Sequence, residues 1–424
     1  MTRLSDAAYP MVRPPIRVAH FGPGAFHRAH QAWYFDRMGY GISAVSLHSS
    51  GVRDALAPQD GLYTLLERET EPAVQVIGSI REVLVAPKAP EAVFERLGQV
   101  DFVTATVTEK GYRLTPAGDL DLAHPDIVHD LTRPAVPASF AGWLVEGLRR
   151  RRASAAPPFV TLSCDNLSDN GRRLRRAVVQ LASAQGDSDL ADWMEACARF
   201  PSTMVDRIVP ALDEPSKQLL REIGSDDING IVCEPFRQWV IEDDFVAKRP
   251  DFVRAGAQFV ADVAPFEAMK LRMLNGSHSF LAYLGALAGK ATISDCMADP
   301  LFAAAAGRLM MSEQAPTLSG LQGIDLQAYS DALLARFSNS RLKHRTTQIA
   351  MDGSQKLPQR LLASIRHHRT AGTAFPLLAL AVAGWLVYVR GKDEAGNPLP
   401  VKDPMADRFA EIAAVFRENG AHFT

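Results

Sequence analysis

A short β-branched run, Ile16–Phe21, leads at once into Gly22-Pro23-Gly24-Ala25-Phe26-His27-Arg28, and this junction constrains the fold more than any other stretch of the chain. A strand that breaks at glycines and re-forms as a helix lets the backbone approach a ligand and aims free N–H groups at it. That arrangement holds a pyrophosphate. His27 stands where the G-x-G-x-x-G pattern has its third glycine, so an ordinary strand–helix turn is the competing reading. A carboxylate ending the second strand, which would grip the adenosine ribose of NAD, is missing. Leu47 is followed by His48, Ser49, Ser50 and Gly51, with Arg53 and Asp54 further on. This segment therefore does not choose between NAD and NADP.

Strands alternating with helical stretches imply parallel pairing and a doubly wound α/β sheet. Later strands are expected at residues 42–47, 102–107 and 159–163, with a helical stretch at 26–38. From about residue 250 the periodicity becomes helical, near 266–287, 326–337, 358–367 and 377–388. The expected organisation is an α/β domain at 1–255 and a mainly α-helical domain at 256–424.

Composition narrows the partners. The 46 Lys+Arg against 48 Asp+Glu leave a net charge of −2, which argues against nucleic acid or an anionic membrane. Cys164, Cys197, Cys233 and Cys296 lie far apart with no C-x-x-C, excluding a zinc ribbon or disulfide framework and fitting a reducing, cytoplasmic setting. No metal site is expected. Residues 1–15 lack the apolar core of a secretory leader. Residues 374–389 contain Pro376 and Gly384 and fall short of the ~20 residues that span a bilayer, so they read as a buried helix. A small-molecule partner is expected, for a monomer or small homo-oligomer.

The segment Phe266-Glu267-Ala268-Met269-Lys270-Leu271-Arg272-Met273-Leu274-Asn275-Gly276-Ser277-His278 is the most informative. On an α-helix at ~100° per residue, Asn275 lies about 140° and His278 about 80° around from Lys270, so the three share one side. Gly276 costs roughly 1 kcal/mol relative to Ala, which suggests the close approach of a ligand or another backbone. A solvated surface lysine is the ordinary alternative. Burial lowers a lysine pKa from ~10.4 toward neutrality, which makes the amine a usable general base. Thr108-Glu109-Lys110-Gly111-Tyr112 and Cys164-Asp165-Asn166 stand at expected strand ends, where open α/β sheets bind ligands; turn chemistry alone would also place them there.

Together with Phe200-Pro201-Ser202-Thr203-Met204-Val205-Asp206-Arg207-Ile208-Val209-Pro210, these motifs resemble the long-chain, zinc-independent polyol (mannitol) dehydrogenase family over nearly the whole sequence. The resemblance implies an N-terminal Rossmann-type domain, a helical C-terminal domain and NAD-linked hydride transfer without a metal, NADP not being excluded. Carried onto this chain, Lys270 resembles the general acid/base. Asn166 and Asn275 resemble the amides that polarise the reacting oxygen, His278 a substrate-orienting partner, and Glu267 a proton-exchange glutamate. Phe21, Gly22, Gly24, Ala25, Phe26 and Asp206 match the cofactor site. The stretches 234–243 and 348–358 resemble the branch that interconverts D-fructuronate and D-mannonate. Mannitol, another polyol or tagaturonate is the alternative substrate, and a non-catalytic NAD-binding protein the alternative class. A sugar acid needs a cation for its carboxylate. Lys356, Arg345, Lys110 and Arg272 are the candidates. Family members continue several dozen residues past the position of Thr424, where further helices are expected.

Overall fold

The computed structural model describes residues 4–69, 71–222, 227, 229–245 and 249–418. It divides into two compact units, Met1–Ala264 and Pro265–Thr424. The first runs past the boundary read from the sequence because Gln258–Val260 pairs in parallel with Val240–Glu242 and so belongs to its sheets.

At the centre of the first unit is a five-stranded parallel sheet: β1 (Ile16–Phe21), β2 (Gly41–Ser46), β3 (Ile80–Val85), β4 (Phe102–Ala105) and β5 (Val160–Ser163), in the order β3-β2-β1-β4-β5. Parallel strands covered on both faces need apolar side chains on both. Val18, Ala19 and Phe21 of β1 are fully buried, and all of β2 is buried. Phe21 is in register with Val45 and Ala105, and Ala105 with Ser163. The carboxyl ends of four strands are therefore nearly flush, and the strand order reverses at β1. Crevices for ligands open at such an edge. Two three-stranded sheets flank it: Gln258–Val260, Gln238–Glu242 and Thr203–Asp206 in one, and Ala73–Ile77, Tyr63–Glu67 and Ile231–Cys233 in the other. The expected helix at 26–38 is two helices, Ala25–Ala29 and Gln31–Met38, broken at His30.

The second unit is helical, and its departures from α-geometry are its main feature. Residues 266–287, read as one α-helix, are Ala264–Met269, then a π-helical stretch Lys270–Gly276, then Ser277–Leu287. Leu309–Gln314 and Pro358–Leu362 are also π-helical. The three expanded turns meet at Gly276. A Cβ there would collide with the Gln314 side-chain amide and lie 2.7 Å from the Arg360 carbonyl oxygen. The close neighbour inferred from Gly276 is thus protein. Residues 377–388 are only half buried: in helix Pro376–Tyr388, Leu378, Ala381, Gly384 and Tyr388 face inward, while Leu380, Leu386 and Val387 are exposed. No described helix is long and apolar enough to cross a membrane.

Three buried histidines and the half-buried His344 make stability pH-dependent. Burial pushes His20 down to about 3, His344 to about 4, and His27 and His278 well below the ordinary 6.5. Each stays neutral when folded but binds a proton when unfolded below ~6.5, so acid costs about 1.4 kcal/mol per group for each pH unit below that value. Asp165, raised to about 6, opposes them with one proton that the folded state takes up first. We predict that melting temperature falls steadily from pH 6.5 to pH 5, as read by circular dichroism. A flat profile would contradict the neutral burial of these rings.

Candidate active site

On the first unit the site begins at the glycine turn. Gly22 takes φ +86°, and a Cβ there would sit on the Thr106 carbonyl, so the fold itself demands glycine. Thr106 Oγ1 donates to the Gly22 carbonyl at 2.7 Å. It therefore accepts from His20 Nε2–H at 3.0 Å, leaving His20 Nδ1 to accept from Thr104 Oγ1 at 2.7 Å. The His27 ring stacks on His20 with centroids 3.3 Å apart, so the residue replacing the third glycine helps to support the turn from below.

Gly24 differs. Its φ is an ordinary −73°, and a Cβ would meet only the Gly22 oxygen at 3.9 Å. No contact among the described residues requires glycine there. The bare Cα leaves an open cradle, and no side chain caps the first turn of helix Ala25–Ala29. Gly24 and Ala25 are exposed, Phe26 is half-buried and Phe21 is buried beneath them. These residues fit a pyrophosphate. Asp206 is buried at the end of strand Thr203–Asp206. The next residue, Arg207, donates from Nη1 to the Ala29 carbonyl at 2.6 Å and so ties that strand end to the turn's helix.

Along the same edge, Thr108 is held at φ +64°, a conformation rare for a β-branched residue. Asp165 holds it there. Its carboxylate accepts from Val107 N at 2.9 Å, Thr108 N at 2.7 Å and the Tyr112 hydroxyl at 2.7 Å. Burial raises the Asp165 pKa to about 6, against the lowering effect of those bonds. Sequence reasoning chose Asn166, which is exposed, and passed over its neighbour. The signal was an acid directly after a buried Ser-Cys strand end.

On the second unit, Lys270 is buried at 9% exposure and opens the π-helical stretch. An i→i+5 turn takes more residues per turn than an α-turn. Lys270 and Asn275, five apart, therefore lie closer to one line than the ~140° of an α-helix. Asn275 is half-buried, and its buried Oδ1 has no hydrogen-bond partner among the described residues. His278 is buried against Phe337 (4.3 Å between ring centroids) and edge-on to His344 (5.2 Å). Burial first, then His344, Arg336 and Arg360, keeps its ring neutral. Glu267 is half-buried, three residues before Lys270.

The four candidate cations differ in their surroundings. Arg272 Nη1 is spent on the Thr317 carbonyl and on Thr317 Oγ1 at 2.9 Å. Lys356 Nζ donates to the Met351 carbonyl at 2.6 Å and pairs with Asp352 at 3.8 Å. Arg345 and Lys110 are exposed. Among the described residues no group of three or more His, Cys, Asp or Glu side chains is placed to hold a metal ion.

A glycine turn at the reversal point of a doubly wound sheet, with a helical unit carrying a buried lysine, describes an oxidoreductase with a Rossmann-type domain. Residues 16–254 match the mannitol dehydrogenase Rossmann domain and residues 262–422 the mannitol dehydrogenase C-terminal domain, so the chain belongs to the mannitol dehydrogenase family. It is 48% identical to the D-mannonate oxidoreductase of Escherichia coli K12, over 98% of this chain and 90% of that one. It is 51% identical to the E. coli K12 oxidoreductase YeiQ, over 94% and 84%. Among solved structures it resembles the Pseudomonas fluorescens mannitol 2-dehydrogenase ternary complex with NAD and D-mannitol. There the TM-score is 0.86 at 36% identity, covering 97% of this chain and 89% of the other. The expected family and fold class both hold.

The two glycines separate folding from binding. Gly22→Ala is predicted to lower the melting temperature by several degrees or to prevent soluble expression. Gly24→Val is predicted to leave melting within about a degree while weakening NADH binding at least tenfold, measured by fluorescence titration. Unchanged NADH affinity in Gly24→Val would remove the turn from the cofactor site.

Proposed function

We propose that the protein interconverts D-fructuronate and D-mannonate with NAD, using Lys270 as general acid/base. The observation that carries the reading is the buried Lys270 on a π-helical turn with the unpaired Asn275 Oδ1 and the neutral His278 beside it on the same segment. The 48% identity to a D-mannonate oxidoreductase supports the substrate. Arg53 pairs with the adjacent Asp54 at 2.7 Å, and both are exposed. That pair offers no net positive charge to a 2′-phosphate, which supports NAD over NADP. The four free cysteines support a reducing cytoplasm.

NAD, its pyrophosphate held by Gly22, Gly24 and Ala25, would supply or take up the hydride. The rest is proton management by this chain. In reduction, the Lys270 ammonium gives a proton to the oxygen that becomes the C5 hydroxyl; in oxidation, the neutral amine takes it back. Asn275 donates to that oxygen through its amide N–H and accepts from a neighbouring substrate hydroxyl through Oδ1. A preorganised donor of this kind contributes about 3 kcal/mol. His278, kept neutral by its burial, orients hydroxyls without competing for the proton. Asn166, on the first unit, keeps the amide role that the family resemblance implies. Glu267, three residues from Lys270, is the relay that returns its proton to solvent.

Lys270→Ala is predicted to keep NADH affinity within threefold and to lose at least a hundredfold in kcat. Near-normal turnover would remove the assigned role. A panel of fructuronate, tagaturonate, fructose and mannitol with NADH or NAD, repeated with the phosphorylated cofactors, is predicted to favour fructuronate and NADH by more than tenfold. Preference for mannitol would place the chain with its polyol-oxidising relatives instead.

A further inference from the structure

Arg360 lies in the π-helical segment Pro358–Leu362 and is 9% exposed. Its backbone carbonyl is the one that excludes a Cβ at Gly276, and its Nη1 donates to Ser279 Oγ at 3.3 Å. The side chain therefore runs along the catalytic segment from Gly276 to Ser279 and passes His278. That bond is long for an N–H donor. It is also the sole hydrogen bond of the guanidinium among the described residues, and no carboxylate pairs with it there. Nε and Nη2 have no protein acceptor but are not sealed from the surface.

A guanidinium this deeply buried without an anion is costly, and such charges in proteins are ordinarily paired. Burial pushes its pKa down to about 10, which leaves it charged at neutral pH and uncompensated. The cations that the sequence suggested are either engaged or exposed: Arg272 by Thr317, Lys356 by Asp352 and Met351, with Arg345 and Lys110 in solvent. Nearby buried polar atoms also lack protein partners: Asn275 Oδ1, Gln314 Nε2 and the Tyr283 hydroxyl. These are sites for a hydroxyl-rich ligand that carries one negative charge.

We propose that Arg360 is the substrate-binding residue that receives the carboxylate of a sugar acid, through the free Nε/Nη2 edge of its guanidinium. The inference rests on the sugar-acid reading above. A planar fork of two N–H donors matches a carboxylate and offers a neutral polyol no comparable gain. Arg360 thus sets the preference for acids over polyols, while Lys270 handles the proton.

The test is calorimetric titration of D-mannonate, and separately of D-mannitol, into full-length protein saturated with NADH, for wild type, Arg360→Gln and Arg360→Lys. Mannonate affinity should fall at least thirtyfold in Arg360→Gln and by less in Arg360→Lys, with NADH affinity unchanged and mannitol affinity within threefold. Ser279→Ala, which removes the guanidinium's one hydrogen-bond partner among the described residues, should weaken mannonate binding severalfold; it decides the matter if Arg360→Gln does not fold. Unchanged mannonate affinity overturns the proposal, as does equal loss for mannonate and mannitol or failure of the wild type to bind any sugar acid. Turnover separates this from the wider reading. If wild type reduces fructuronate and Arg360→Gln keeps its KM, Arg360 is wrong and the function stands. If mannonate binds through Arg360 but only polyols turn over, the function is wrong and the anion site stands.

Discussion

The second unit depends on a steric constraint at one α-carbon. Three helices open into π-turns where Gly276, Gln314 and Arg360 meet, and no Cβ fits among them. The wider turn is not decoration. It brings Lys270 and Asn275, five residues apart, toward one line while their neighbours Met269, Met273 and Leu274 stay in the core. A buried amine needs polar company. The same segment carries it in Asn275 and His278.

The first unit solves a different problem: how to present polar atoms at the edge of a sheet buried on both faces. Flush strand ends place Gly22, Thr106 and Cys164 side by side. Thr106 donates to the Gly22 carbonyl and is held in turn by His20, which Thr104 fixes from its other side. Asp165 holds the strained Thr108 with two backbone N–H bonds. A carboxylate with three donors is a stiff clamp, and the proton it takes up near pH 6 weakens that clamp. Gly24, exposed and without close neighbours, is left with nothing to do for the fold.

Much of this was legible in the sequence, and the failures share a cause. The glycine turn, the parallel sheet and the helix Leu326–Phe337 follow from local periodicity and turn chemistry. Strand ends were read one or two residues long, at 47 and 107 against Ser46 and Ala105, because apolar character outlasts the ladder. The π-turn was invisible, since one widened turn barely alters a 3.6-residue pattern; Gly276 was its only trace. Residues 377–388 looked buried because the helix is apolar all round, yet burial depends on what packs against each face. Charges were the least legible. Whether Lys356, Arg272 or Arg360 keeps a free edge depends on Asp352, Thr317 and Ser279, and only folding decides those partners.

The central claim is that the Lys270 amine carries the reacting proton, and the pH dependence of turnover in both directions tests it most directly. Reduction needs the ammonium and oxidation the free amine. The account therefore predicts that kcat/KM for fructuronate falls, and that for mannonate rises, through one shared apparent pKa, and that both limbs vanish in Lys270→Ala. Persistence of the same pKa and the same opposed limbs in that variant would contradict it.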